Sequence, residues 1–389
     1  MSHDKKGTKN ISSAPLSFSR SLTIEKIETF PLSASEGVSP HMVLGDMPVR
    51  PALLLRITDQ DGCCGWGEIW ANFPPRANLH KAHLVADVIA PIIEGFTFVE
   101  PQEIAEFLRK KLSTYFLHIG QKEVFEHILS GLDIAGWDIA LRSASRSFSQ
   151  HFALTDAHAN VYASSINQAD LFPKLEHHKS LGQRCFKLKI GFDAATDQAF
   201  VAKAASLCPP GSKIAIDSNQ AWNLESAKAH HAKLEQYNIQ FSEEPIPADR
   251  PKSEWEELAS ATSIPLAAGE NIYGIDEFLS MADAGLQIAQ PDIAKWGGLS
   301  GNLELLAHLP SGVKLWPHFM GSSIGQTAAL CIAATSSAST CEMDVNANVL
   351  RTELSGPIFQ IREGKVALPT SPGLVVPPLP EVLATTFSQ

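Results

Sequence analysis

The chain carries polar side chains whose types and spacing could move a proton. Lys187 and Lys189 flank Leu188, Asp217 and Asn219 flank Ser218, Glu243 and Glu244 are adjacent, and Glu270, Asp292, His318 and Glu342 follow singly. Residues two apart on a strand share a face, so the two lysines point one way, and only one of Glu243 and Glu244 can share the face of Phe241. That parity selects Glu243. If Asp217, Glu243 and Glu270 converge in a partly buried site, they repel one another unless a cation neutralises them. An all-oxygen donor set suits one Mg²⁺, or Mn²⁺, with positions left for water and substrate. Taken singly, each acid could equally be a solvated loop residue or a helix cap. Three in successive repeats are harder to dismiss. A lysine with an ordinary pKa of about 10.4 is a poor base, and a neighbouring ammonium plus burial is expected to lower it. A carboxylate beside an imidazole fixes its tautomer and raises its pKa, which is how Asp292 and His318 would form an acid–base pair. Of the 14 histidines, only His318 combines a strand-end position with an acid one strand away. The pairs His177-His178 and His230-His231 read as solvated helix.

The elements that must position these groups are legible from about residue 155 onward. Eight β-rich runs recur: 160–166, 184–190, 213–219, 239–245, 265–271, 286–292, 313–319 and 340–345. Their starts are spaced by 24, 29, 26, 26, 21, 27 and 27 residues, with helix-compatible sequence between them. That count and period point to a (β/α)8 barrel, whose catalytic residues sit where strands end at the C-terminal mouth. The polar residues fall there: lysines on the second run, Asp217 and Asn219 on the third, Glu243 on the fourth, Glu270 on the fifth, Asp292 on the sixth, His318 on the seventh and Glu342 in the eighth. Lys189 and His318 would then approach the centre from opposite sides. A cation clamped on a substrate carboxylate would stabilise the enediolate formed when the α-proton leaves. A doubly wound open sheet is the rival, but no glycine fingerprint follows the first strand.

Before residue 150 the pattern differs. An alternating run from Ser21 to Phe30, a hairpin signal at Asp59-Gln60-Asp61-Gly62 between 51–58 and 63–69, and helical patterns at 78–94, 101–118 and 121–143 read as an α+β unit. The stretch GPIFQIREGKVALP near the C-terminus reads as strand–turn–strand returning to that unit. The expected fold class is therefore α/β, a barrel with an α+β cap. The divisions are 1–19 a disordered leader, 20–150 the cap, 151–345 the barrel and 346–389 a segment returning to the cap. The loop near 32–50, with His41, Met42 and Arg50, and Trp70-Ala71-Asn72-Phe73 after the hairpin, would contact substrate. His41 and Trp70 are the leading candidates.

Bulk properties agree with a metabolic enzyme. The 389 residues are 44% hydrophobic and 19% charged, with a formal net charge of −11, so nothing favours nucleic acid or an anionic membrane as partner. No stretch approaches a transmembrane length, and AALCIAA (328–334) suits a buried helix. The six cysteines are scattered without a CxxC pair, as expected for thiols in a reducing cytosol. The expected partner is a small carboxylic acid.

Together these motifs resemble the enolase superfamily, and within it the mandelate racemase subgroup. The resemblance spans roughly residues 20 to 380 and rests on Lys187-Leu-Lys189, Asp217-Ser-Asn219-Gln220-Ala-Trp222, Glu243-Glu244-Pro245, Gly269-Glu270-Asn271, Pro291-Asp292-Ile-Ala-Lys295-Trp-Gly297-Gly298 and Pro317-His318. It implies Asp217, Glu243 and Glu270 as Mg²⁺ ligands, Lys189 as one acid–base and His318–Asp292 as the other. It further implies Lys187 and Glu342 on the substrate carboxylate, with Asn219 also at the substrate, and a homo-oligomer. The related muconate-lactonizing subgroup carries a lysine near the position of Asp292, and Lys295 falls three residues later. Two outcomes share the first step: dehydration of an acid sugar, which the resemblance favours, and racemisation or epimerisation of an α-hydroxy acid or amino acid derivative. A barrel that only binds is the non-enzymatic alternative, and the complete polar set argues against it.

Overall fold

The computed structural model describes residues 20–35, 41–42 and 45–387, without the side chains of His41, Met42 and Asp46. The leader 1–19 and the His41 side chain thus lie outside the described residues.

Six strands come first: β1 (Leu22–Ala34), β2 (His41–Met42), β3 (Gly45–Asp46), β4 (Arg50–Asp59), β5 (Cys64–Ile69) and β6 (Thr97–Phe98). Four make an antiparallel sheet in the order β5-β4-β1-β6, while β2 and β3 pair with each other. The expected hairpin joins β4 to β5. Its turn is held by Asp59, whose Oδ1 accepts the N–H groups of Asp61 at 3.0 Å and Cys63 at 2.8 Å. The helical run Ala77–Ile93 contains a π turn at Val85–Ile89. Pro91 accounts for it, since its ring would strike the carbonyl four residues back in a regular helix. Helices Gln102–His118 and Lys122–Ser143 follow and cover the sheet. Contact is closest where helix meets β5: a Cβ on Gly67 would lie 2.0 Å from the Gly131 carbonyl oxygen, so only glycine fits.

The eight expected barrel strands are all present: β7 (His158–Ile166), β8 (Cys185–Lys189), β9 (Lys213–Asp217), β10 (Ile239–Glu243), β11 (Leu266–Ala268), β12 (Leu286–Ala289), β13 (Lys314–Leu315) and β14 (Cys341–Asp344). Each pairs in parallel with its sequence neighbour from β7 to β13, and β14 pairs in parallel with β7. The Glu342 N–H donates to the Pro317 carbonyl at 3.1 Å, joining β14 to the end of β13 and completing the ring. Inside, Tyr162, Ala215, Phe241, Ala267, Ile288 and Trp316 form one packed layer. The rings of Tyr162, Phe241 and Trp316 lie 5.7 to 5.9 Å apart between centroids. Because side chains alternate, the residue two beyond each floor position also points inward, now at the mouth. Ser164, Asp217, Glu243, Gln290 and His318 stand in that register.

The C-terminal hairpin, β15 (Ile361–Arg362) and β16 (Lys365–Ala367), forms as expected but pairs antiparallel with the start of β7, not with the N-terminal sheet. The chain reaches the N-terminal unit further on, where the Leu374 and Val375 N–H groups donate to Asp138 Oδ1 at 2.8 and 3.1 Å. Two more buried acids of that unit receive backbone N–H groups at the starts of barrel helices. Asp133 Oδ1 accepts from Leu299 at 2.6 Å and Ser300 at 2.9 Å, beside helix Gly298–His308. Glu68 accepts from Ser322 at 2.9 Å and Gly325 at 2.8 Å, at the start of helix Ser323–Ala334. These carboxyl groups satisfy donors that a helix cannot satisfy itself. Arg50 adds a fourth tie, its guanidinium 3.0 Å from Asp344, which Arg351 also holds at 3.1 Å.

No helix among the described residues is long and apolar enough to cross a membrane. All six cysteines are free.

Candidate active site

The expected polar residues meet at the C-terminal mouth, and each is placed there by its strand. Lys187 and Lys189 both rise from β8 on the inward face, and both are buried. Lys187 Nζ donates to both oxygens of Glu243, at 2.7 and 2.8 Å, and lies 2.9 Å from Glu342 and 3.5 Å from Asp217. Lys189 Nζ donates to Asp217 at 2.5 Å and to Asn219 Oδ1 at 3.0 Å. Asp217 in turn accepts the Asn219 N–H at 2.9 Å. Asn219 and Gln220 adopt left-handed backbone, φ 43° and 66°, as the chain turns out of β9.

Glu243 ends β10 with its side chain in the ring, where Gln290 Nε2 donates to it at 2.7 Å. Glu244, also left-handed at φ 40°, turns away from that centre and accepts both its hydrogen bonds from Asn271 Nδ2, at 3.0 and 3.2 Å. The parity argument thus describes the strand as built. Glu270 breaks register: β11 stops at Ala268, and Gly269 has a positive φ of 157° with its α-carbon against the Gln290 backbone. A Cβ there would lie 2.4 Å from a backbone carbon, so glycine is required for the turn that brings Glu270 inward. Glu270 then lies 3.2 Å from His318 Nε2 and 3.8 Å from Lys295 Nζ.

His318 follows β13. Its Nδ1–H donates to Asp292 at 2.8 Å, which leaves Nε2 to face Glu270 and, at 3.6 Å, Glu342. Asp292 is itself held by the N–H groups of Ala294 at 2.9 Å and Lys295 at 3.2 Å. Glu342 accepts from Ser164 and keeps a second oxygen, buried and without a hydrogen-bond partner among the described residues. Trp70 stands at the rim between two ammonium groups, with Lys295 4.5 Å and Lys81 4.7 Å from its ring centroid. Met47, Phe73 and Met320 form a small apolar cluster, in which Phe73 follows Trp70 and Met320 follows His318 closely in sequence.

Electrostatics follow from this crowding. Burial pushes the Glu243 carboxyl up, Asp217 and Glu342 add to that, and it reaches about 8 despite Lys187. Burial, then Glu270, pushes Glu244 well above the carboxylate range. Burial opposes charge on Asp217 too, but Lys189 and Lys187 outweigh it and hold the carboxyl low. Glu270 is likewise held at about 2 by Lys295 and His318 against burial. His318 is raised to about 10: burial disfavours the imidazolium, but Glu342, Glu270 and Asp292 together prevail. The expected lowering of the lysines does not occur. Burial and the Lys187 ammonium do act against charge on Lys189, but Asp217 prevails and its pKa rises; Lys187 is raised further by Glu243 and Glu342.

The donor set fits a divalent cation. Six carboxylates (Asp217, Glu243, Glu244, Glu270, Asp292 and Glu342) crowd three lysines and His318 in a buried site, and the two acids that burial pushes up, Glu243 and Glu244, mark where positive charge is short. Among the described residues, the ligand atoms that already lie within 4.8 Å of one another belong to Glu243, His318 and Glu342. Asp217 and Glu270 are outside that set because Lys189 draws the first aside and His318 and Lys295 the second.

A family model described as enolase C-terminal domain-like matches residues 174–382. A solved mandelate racemase/muconate lactonizing enzyme from Bordetella bronchiseptica RB50 is 34% identical, covers 94% of this chain and 100% of its own, and superimposes with a TM-score of 0.86. The chain belongs to the enolase superfamily. Among its relatives are an arabinonate dehydratase of Saccharolobus solfataricus, 26% identical over 82% of this chain and 86% of that protein, and a D-galactarolactone cycloisomerase of Agrobacterium fabrum, 24% identical over 84% and 88%. Sites in this superfamily use a lysine or histidine base with Mg²⁺. Sequence reasoning missed Ser164 and Gln290 of this superfamily member, and gave Asn271 no role of its own although it stands in the Gly269-Glu270-Asn271 motif. The first two were within reach, since each shares the parity of a floor residue, Tyr162 or Ile288, on a strand already identified.

Proposed function

We propose that this chain removes the proton α to a substrate carboxylate with the help of one Mg²⁺ or Mn²⁺, and that the reaction is dehydration of an acid sugar. The observation that carries the reading is the placement of Lys189 and His318. They rise from strands three steps apart round the ring, with the carboxylate cluster between them. Asp217, Glu243 and Glu270 would hold the cation, which supplies positive charge beside the substrate carboxylate as the proton leaves. Lys187 and Glu342 would contact that carboxylate, with Asn219, His41 and Trp70 around the rest of the substrate. Lys189 takes the α-proton in its neutral form, which a cation on Asp217 would favour by neutralising the carboxylate that now holds a proton on the lysine. His318, held as a proton donor by its three acids, gives a proton to the departing β-hydroxyl. The dehydratase among the relatives supports this outcome, and the division into a cap over 20–150, a barrel over 151–345 and a returning segment over 346–389 belongs to the same reading. So do a cytosolic location, which the free thiols support, and a homo-oligomer.

A second outcome draws on the same placement. Groups on two sides of one carbon can also return the proton to the other face, giving an epimer. Incubating the protein in deuterium oxide with a library of acid sugars and α-hydroxy acids separates the cases by mass. Loss of water with a keto product marks dehydration. Exchange without loss of water marks epimerisation. A chelator should abolish both, and added Mg²⁺ should restore them. Absence of exchange with every acid in the presence of Mg²⁺ would overturn the reading.

A further inference from the structure

Glu243 and Glu244 are adjacent buried carboxylates, and something must decide which one faces the centre. Among the described residues, the Glu244 carboxylate accepts from the Asn271 amide alone, whose Nδ2 reaches both of its oxygens at 3.0 and 3.2 Å. An amide can present either end. Here the choice is fixed, because Lys295 Nζ donates to Asn271 Oδ1 at 3.0 Å and an ammonium has no acceptor for the other orientation. Lys295 is fixed in turn. It is buried, its Nζ lies 4.5 Å from the Trp70 ring centroid, and its nearest carboxylate contact is Glu270 at 3.8 Å. Trp70 belongs to the segment after β5, and it is anchored where the Lys81 ammonium donates to its carbonyl at 2.5 Å. Lys81 also meets His127 Nδ1 at 2.8 Å, and His127 Nε2 lies 3.0 Å from the Tyr273 hydroxyl. A continuous set of contacts therefore runs from the N-terminal unit to Glu244.

We propose that Lys295, braced by Trp70, is a positioning residue that orients the Asn271 amide and so holds Glu244 out of the metal site, leaving Glu243 as the ligand on β10. This rests on the reading of the site as a divalent-cation centre.

The test is Mn²⁺ binding to the full-length protein, read by electron paramagnetic resonance and calorimetry without substrate. Glu243→Gln should weaken binding at least tenfold. Adding Asn271→Ala to Glu243→Gln should recover at least threefold, because Glu244 is released to serve as ligand at unchanged net charge. A merely structural role for Asn271 could not restore binding. Lys295→Met on the Glu243→Gln background should recover binding as well, but it also removes a positive charge, so Asn271→Ala decides. Asn271→Leu repeats that arm if the alanine variant is unstable. If Glu243→Gln binds Mn²⁺ like the unaltered protein, or if neither Asn271 variant recovers binding, this proposal is overturned while the metal reading stands. If the unaltered protein binds no Mn²⁺, the metal reading fails and takes the proposal with it.

Discussion

Lys189 and His318 each sit among acids that hold a proton on them. At this scale the roles separate by substitution. Lys189→Ala should remove α-proton exchange for substrates presenting that face. His318→Asn should leave exchange at Lys189 largely intact in a dehydratase but stop loss of the hydroxyl. Each loss should be about 10²- to 10⁴-fold, the usual worth of a positioned acid or base. Mass analysis in deuterium oxide reads both. Survival of both activities in both variants would show that the assignments are wrong. The high affinity of Lys189 for its proton arises from Asp217, a neighbour that spacing alone could not supply. Spacing revealed Lys187 beside it but gave no measure of which charge would prevail.

Among the elements, the strand β5 and the helix Lys122–Ser143 meet with backbone against backbone. The Gly67 α-carbon faces the Gly131 carbonyl, and Gly65 faces that of Ala135. Gly67→Ala would force a methyl into a space bounded by main chain, which cannot rotate aside. The expected cost is about 1–3 kcal/mol or more, seen as a lower midpoint in a thermal melt followed by circular dichroism. An unchanged midpoint would mean that the helix shifts freely on the sheet. The elements themselves were legible. All eight barrel strands and the three helical runs between residues 77 and 143 came from apolar periodicity, since burial imposes it. That Lys187, Lys189, Asp217 and Glu243 would share one mouth was legible because β-strand parity and strand ends are local properties, whereas Glu270 arrives by a turn that parity does not describe. Glu68, Asp133 and Asp138 were not. Each reads as an ordinary surface charge, because the N–H groups it serves lie 72 to 257 residues away in sequence. The C-terminal hairpin was legible as a hairpin but not in its docking, for two short strands carry no information about which sheet edge they extend.

For the molecule as a whole, those buried acids tie the N-terminal unit to the barrel and make the union depend on pH. Burial raises Glu68 to about 7 from an ordinary value of 4.5, its hydrogen bonds notwithstanding, and raises Asp133 to about 6. The folded state then holds these protons more tightly than the unfolded chain. Stability is fully present below the unfolded values and is lost as pH rises through about 6 to 7. The Glu68 shift corresponds to a loss on the order of 3 kcal/mol. Urea unfolding between pH 4.5 and 8 should show that decline, and Glu68→Gln should flatten it even though the amide caps the helix less well. An identical slope in both proteins would show that Glu68 is charged at no cost. Asp344 acts in the opposite sense. Burial resists its charge, but Arg351 and Arg50 hold it at about 2, so its contribution is present above 3.8 and fades as pH falls toward 2.

The packed layer of Tyr162, Phe241 and Trp316 has a consequence for isotopes. It plugs the barrel beneath the reacting groups, so the mouth is the route by which a transferred hydron can reach bulk water. Once a substrate fills that mouth, a hydron taken up by Lys189 in the proposed reaction would be confined with the molecule it came from. Internal return should then compete with wash-out, and label at the α-carbon should survive some turnovers. Opening the plug, as in Trp316→Ala, should lower the fraction retained.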